Sequence, residues 1–365
     1  MFLAIREIRH EPTRFALIVT VVFLVAYVTF FLSALATGLS HAYRAAVESW
    51  SADAVILTEA SNDNIGASRL SDTQVAATRA ALASSEPPER LVAQAVVVEG
   101  QEETTRTDAY AFGIDLTGGL SPSVVAGRPI SDPATEVLID ESLTQEGWAL
   151  GDTLGLAGTN ARWTVVGLTR DLTFQTAPVI TVDAQALIDL GDPLSPAVNA
   201  MIVPGGGLDD TSRSEVASAL AQDDLVMMTP ADFIGELPGY SAQVLTFSLM
   251  IGALVVIAAL VLGIFLYVLT LQKRAVLGVL KARGVPTRYL VVAGGFQTAM
   301  LAAAGVILGL VATQLTGWLL PASVPFRPSL ALDAVITVAF VVMAVLGGLM
   351  SVRVVSRIDP AEAVA

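Results

Sequence analysis

From Phe15 to Ala36 the chain carries no charged side chain, and three similar runs crowd its last third: Gln243–Thr270, Tyr289–Leu320 and Ser329–Val352, the last broken only by Asp333. A helix needs about 20 apolar residues to cross the hydrocarbon core of a bilayer, and a helix satisfies its own backbone there. The pattern predicts transmembrane helices at 15–36, 243–270, 289–320 and 329–352. Short linkers fall at 271–288 and 321–328, and a tail at 353–365.

Residues 37–242 read differently. Strand-like alternation marks Ala54–Leu57, Leu91–Val98, Tyr110–Asp115, Glu136–Asp140, Trp163–Leu168, Val179–Val182 and Ala200–Val203. Helical spacing fits Asp72–Ala83, Glu141–Glu146, Ala184–Leu190, Thr211–Ala221 and Pro230–Glu236. Ser84–Glu89 has the composition of a linker and is expected to bound a subdomain. The fold class expected is an α-helical membrane protein with four transmembrane helices in a 1+3 layout. A mixed α+β extracytoplasmic domain is inserted between helices 1 and 2. At the start, Phe2, Ile5 and Ile8 oppose Arg6, Glu7 and Arg9, so residues 1–14 read as a short amphipathic helix on the cytoplasmic membrane surface.

Composition agrees, with 54% hydrophobic and 15% charged residues, too apolar for a soluble chain of 365. Ten basic residues flank the spans, among them Arg6, Arg9, Arg14, Lys273, Arg274, Lys281, Arg283 and Arg288. Short basic segments stay in the cytoplasm, so both termini are expected there and the large domain outside, in a bacterial plasma membrane. The remaining regions hold ten Arg against thirty acids, a balance that repels phosphates and argues against a nucleic-acid partner. The chain has no cysteine, so an ordinary core must hold the outer domain. The first apolar run exceeds the 7–15 residues usual for a signal peptide and reads as a retained anchor.

Enzyme constellations are missing. There is no Gly-x-Ser-x-Gly and no phosphate-cradling Gly-Lys-Ser or Gly-Lys-Thr, and His10-Glu11-Pro12-Thr13-Arg14 lacks the second histidine of a zincin. No intrinsic cofactor and no catalytic residue are expected. Gly305 and Gly309 form a small-xxx-small pair that permits close helix approach. Asp333, about 6 Å into the fourth span by helical rise, is expected to reach the headgroups.

The linker from Gln272 to Pro286 sets Val276, Val279 and Leu280 at helical spacing among Lys273, Arg274, Lys281 and Arg283, and Gly284 fits a C-cap. It reads either as a solvated basic helix end that fixes topology or as a docking element. Here the chain resembles the FtsX-like permeases of the MacB type, membrane subunits of a class of ABC transporters. The match runs through Lys273, Arg274, Leu277-Gly278-Val279-Leu280, Lys281-Ala282 and Gly284. It continues in the tail Ile358-Asp359-Pro360-Ala361-Glu362-Ala363, and in the outer domain at Val137–Asp140, Gly151-Asp152-Thr153-Leu154 and Trp163–Gly167.

The resemblance implies a homodimer assembled with two copies of a cytoplasmic ATPase that holds ATP and magnesium. Lys273, Arg274, Leu277, Gly278, Leu280, Lys281, Arg283 and Gly284 would dock on that ATPase. Its closure would pass along the second span to the outer domain, with substrate handled outside rather than through a pore. Short cysteine-free members resemble the haem exporters, which makes haem the first substrate to consider. A peptide, an antibiotic or a lipid, or signalling to an extracellular partner without transport, remain as alternatives.

Oxygen and nitrogen donors near the outer face are Glu236, Tyr240, His41, Tyr43 and Glu48. Ferric haem iron accepts such donors, tyrosinate included. Glu236 is expected to sit among apolar groups and serve as the iron ligand, with Phe233, Leu237 and Tyr240 flanking a flat porphyrin. It also reads as an interfacial carboxylate whose head reaches water. Trp50, Tyr240 and Trp318 read first as interfacial anchors.

Overall fold

The computed structural model describes residues 12–83, 86–100, 106–190, 198–206, 208–272, 279, 283–321 and 324–356. In chain order the elements are α1 (Pro12–Ser49), β1 (Ala52–Thr58), α2 (Asp72–Ala81), β2 (Glu89–Glu99), β3 (Arg106–Ile114), β4 (Val124–Gly127), β5 (Glu136–Asp140), β6 (Thr153–Leu156), β7 (Arg162–Thr169), β8 (Thr173–Phe174), β9 (Ala177–Asp183), α3 (Ala184–Ile188), β10 (Ala200–Pro204), α4 (Asp210–Leu220), β11 (Leu225–Met228), α5 (Pro230–Glu236), α6 (Tyr240–Gln272), α7 (Thr287–Leu319) and α8 (Leu330–Ser356). They form two compact units, residues 1–38 with 244–365, and residues 39–243.

Three helical stretches among the described residues are long and apolar enough to cross a bilayer: Phe15–Ser49, Tyr240–Phe265 and Gly294–Leu319. The helix α8 adds a shorter apolar run, Leu330–Leu346. Phe15, Ile18, Val22, Ala26 and Phe30 make one face of α1 at three- and four-residue spacing, buried with Val255 and Leu262, Leu301 and Val306, Ile336 and Phe340. Opposite this face, Gly305 and Gly309 let the α7 backbone approach α1. A Cβ on Gly309 would lie 2.8 Å from the Tyr27 amide nitrogen and 2.9 Å from the Ala26 Cβ. The Tyr27 hydroxyl lies 3.1 Å from the Thr316 hydroxyl in the same seam. The glycine pair thus packs α7 on α1 within one chain.

The connection before α8 also leans on α1. The Arg327 amide donates to the Ala34 carbonyl at 3.1 Å, Phe326 meets Phe31 at 5.8 Å, and any side chain on Gly38 would collide with the Pro325 carbonyl. Asp333 is 5% exposed, in the first turn of α8, where the partial positive charge of a helix N-terminus favours a carboxylate.

The second unit is built on one sheet in the order β11-β1-β10-β2-β3-β9-β5-β7-β4, with β6 bridging β2 and β7, and β8 beside β9. Pairing is antiparallel except β3 with β9 and β5 with β7. No subdomain boundary falls near Ser84–Glu89. The strands on either side, β1 and β2, both pair with β10. The strand that follows α1 and the strand that precedes α5 are also neighbours, Val55 pairing with Met228 and Leu57 with Val226.

One core cluster holds Trp50, Leu91, Phe112, Phe174, Ile202 and Phe233; a second holds Ile139, Leu143, Trp148, Trp163 and Ile180. Trp50 is 6% exposed, a core residue and not an interfacial anchor. The stretch Glu141–Glu146, expected as a helix, is a 3-10 turn capped by the Asp140 carboxylate, which accepts from the Ser142 amide at 3.0 Å and the Leu172 amide at 2.7 Å. Burial pushes the Asp140 carboxyl above its ordinary value, although these hydrogen bonds oppose the rise. Gly151 adopts φ +91, a left-handed conformation that glycine enters without strain, and its turn leads directly into β6.

At the β4–β5 connection, the Arg128 guanidinium donates to both Glu136 oxygens, and the Ser131 amide donates to Oε2 at 2.7 Å. These bonds hold the Glu136 carboxyl at about 2, below its usual 4.5. A depressed carboxyl adds stability above its unfolded value, and that stability is lost as pH falls through the folded value. Between roughly pH 4.5 and 2 the wild type should therefore lose stability more steeply than Glu136→Gln, which an acid series of unfolding midpoints would measure.

Candidate functional site

The last turns of α1 and the α5–α6 segment bring most of the expected donors into the second unit. The helix does not stop at Ala36; it runs to Ser49, so His41, Tyr43 and Glu48 stand on a helix. Their spacing separates them. His41 Nδ1 lies 3.6 Å from Glu48 Oε2, and Arg44 Nε lies 3.3 Å from Glu48 Oε1, an ion-pair group one to two turns long. Tyr43 meets Tyr240 with ring centroids 5.9 Å apart and planes at 54°. The Tyr240 hydroxyl lies 3.0 Å from the Ser40 hydroxyl.

The helix α5 forms where the sequence places it. Thr229 caps it, accepting from the Asp232 amide at 3.1 Å, and Pro230 occupies the first turn, where a missing N–H costs nothing. Its apolar face is committed to the core. Phe233 is 0% exposed, stacked on Trp50 at 6.2 Å, and Leu237 is 3% exposed. Neither ring nor branch is available to flank a porphyrin in this structure, which corrects that part of the expected site. Glu236 is exposed. Tyr240 is half-buried.

The accessible set is therefore a carboxylate at Glu236 and the Tyr240–Tyr43–Ser40 group, with the His41–Glu48–Arg44 group on α1. Apart from the Arg44 guanidinium, which is itself a cation, these groups are oxygen or nitrogen donors of the kind that ligate a cation or an iron centre. Sequence reasoning missed Ser40 and Arg44. The i,i+4 spacing of Arg44 and Glu48 was the signal for one; the Ser40 contact depends on tertiary structure.

On the other side of α6, the expected docking segment is described only in part. Arg283 is exposed and its amide donates to the Val279 carbonyl at 3.0 Å. Gly284 follows at φ +86, the left-handed residue of a helix end. Lys273, Arg274, Leu277, Gly278, Leu280 and Lys281 lie outside the described residues.

Residues 248–360 match the FtsX-like permease C-terminal family. Over its whole length the chain is 25% identical to a putative hemin transport system permease protein, HrtB, of Staphylococcus haemolyticus, covering 100% of this chain and 99% of that protein. It is 26% identical, at the same coverage, to an uncharacterized ABC transporter permease of Mycobacterium tuberculosis. Among solved structures, the periplasmic region of MacB from Actinobacillus actinomycetemcomitans aligns with 50% of this chain and 90% of that one, at 11% identity and a TM-score of 0.37. The long apolar helices, the match across α6 to α8 and the full-length relatives agree: the C-terminal helices resemble those of FtsX-like permeases, and the whole chain is similar to ABC transporter permeases.

Proposed function

We propose that this chain is the membrane subunit of an ATP-driven efflux pump that takes haem from the outer leaflet and releases it outside. In this reading four helices span the bilayer, both termini are cytoplasmic, and residues 39–243 stand outside. Two copies work with two copies of a separate ATPase, which holds ATP and magnesium. Closure of the ATPase reaches the outer unit mechanically along the helices. The observation that carries the substrate is the full-length relationship to putative hemin permeases, together with an exposed carboxylate just ahead of the half-buried Tyr240.

Glu236 would supply the iron ligand, and Tyr240, Tyr43 and His41 the neighbouring donors. Hemin added to the purified complex should shift its absorption band, and Glu236→Ala should remove most of that shift. An unaltered hemin spectrum with wild type would discard the haem assignment. The segment Lys273–Gly284 would dock the ATPase. Leu280→Asp should lower ATP-driven export by tenfold or more while ATP hydrolysis by the partner continues, an uncoupling worth about 1.4 kcal/mol per factor of ten. Normal export from that variant would remove the docking role.

A further inference from the structure

The β8–β9 hairpin has a two-residue loop, Gln175-Thr176, since Phe174 pairs with Ala177. A two-residue loop of the type I′ kind needs positive φ at both positions and usually carries Asn-Gly or a similar pair. Here neither residue is glycine, yet Gln175 has φ 48 and Thr176 φ 71. A β-branched residue in that region is a steric outlier, and it persists only where surrounding contacts over-determine it. Those contacts are present. The Gln175 amide donates to the Tyr43 carbonyl and the Thr176 amide to the Ala42 carbonyl, each at 3.1 Å. The Tyr110 hydroxyl donates to Gln175 Oε1 at 3.2 Å, and Phe174 is packed against Tyr110 at 4.9 Å.

Both accepting carbonyls lie inside α1, several residues before its end, so the hairpin is not needed to cap the helix. What the strained loop achieves is attachment. Its other strand, β9, pairs with both β3 and β5 in the interior of the sheet, whereas α1 otherwise joins the sheet through β1, second from one edge, and through the packing of Ala46 and Val47 in the core, so the hairpin supplies the hydrogen-bonded attachment one turn earlier on the helix. Ser40 and Tyr43 are held in the same turn by Tyr240.

We infer that the Gln175–Thr176 tip is a coupling clamp: it fixes the Ala42–Tyr43 turn of α1 to the centre of the sheet, so that displacement arriving along α1 carries the outer unit as one body. The cyclic displacement rests on the permease reading; the clamp itself does not. A positioning role of this kind makes no contact with substrate. It would instead set how much motion reaches the outer unit.

The chain has no cysteine, so with a cysteine-free partner and the labelled chain diluted to one copy per complex, Arg44→Cys and Gln185→Cys would carry the only two spin labels, one on α1 and one on α3 beside the sheet. Distances are read by pulsed electron paramagnetic resonance on the complex with its ATPase in nanodiscs, without nucleotide and trapped with ATP and vanadate. The clamp predicts one narrow distribution, the same in both states. Thr176→Gly, which relieves the strain and keeps the loop length, should match it. Two glycines inserted between Gln175 and Thr176 should release the tip and add a second, longer population. A shift on trapping in the wild-type background, or an insertion variant indistinguishable from it, would overturn the clamp. If the permease reading were wrong and no ATPase joined, the nucleotide-free comparison of insertion and wild type would still decide the clamp.

Discussion

Phe233→Ala is expected to destabilise the outer unit by about 3–5 kcal/mol, the usual cost of removing a fully buried phenylalanine. The ring is 0% exposed and sits among Trp50, Phe112, Ile202 and Leu237, so its loss leaves a cavity that a sheet on one side and a helix on the other cannot close. For a unit of this size the unfolding midpoint should fall by about 2–4 °C per kcal/mol. The measurement is thermal unfolding followed by tryptophan fluorescence, with Trp50 stacked on the deleted ring as reporter. Glu236→Ala, an exposed neighbour, should change stability by no more than about 0.5 kcal/mol. The pair separates architecture from ligation. If Phe233→Ala left stability untouched but abolished hemin binding, the ring would be a ligand contact and the core assignment would be wrong.

Gly309→Leu is the second large effect. Overpacking a close interface costs about 1–3 kcal/mol, and here the obstructing atom includes the Tyr27 backbone nitrogen, which cannot rotate aside. The helices α1 and α7 must separate, which also breaks the Tyr27–Thr316 contact. Tyr27→Phe removes that contact alone and should cost only about 0.6 kcal/mol, the average for hydrogen bonds between membrane helices. Thermal aggregation of the detergent-solubilised protein would rank the two. Equal midpoints for Gly309→Leu and wild type would mean that the close approach is absent in the membrane.

Much of this architecture is legible in the residues, for identifiable reasons. Long strands with strong alternation, such as Leu91–Val98 and Trp163–Leu168, extend by only a residue or two in the structure. The Thr229-Pro230 start marks α5 because cap and proline act locally. Four strands escape detection: Val124–Gly127, Thr153–Leu156, Thr173–Phe174 and Leu225–Met228. They have two to four residues each, too few for a period to emerge, and Leu225–Met228 pairs with β1, far back along the chain. The extension of α1 to Ser49 was hidden because Ser40, His41, Arg44 and Glu48 end the apolar run without ending the helix.

The site was harder to read than the fold. Apolar neighbours of a carboxylate look the same in sequence whether they face a ligand or a sheet. For Phe233 and Leu237 it is the sheet. The contacts that organise the region, Tyr240 with Ser40 and Gln175 with Tyr43, join residues more than 100 positions apart, and no local pattern announces them.

The account turns on whether this chain, with a nucleotide-hydrolysing partner, moves haem outward. The direct measurement is the hemin content of sealed vesicles holding the complex, followed after ATP is supplied on the side of the partner. The account predicts a loss of membrane-bound hemin that requires ATP and is largely abolished by Glu236→Ala. Hemin retained equally with and without ATP, by a complex that hydrolyses it, would contradict the account.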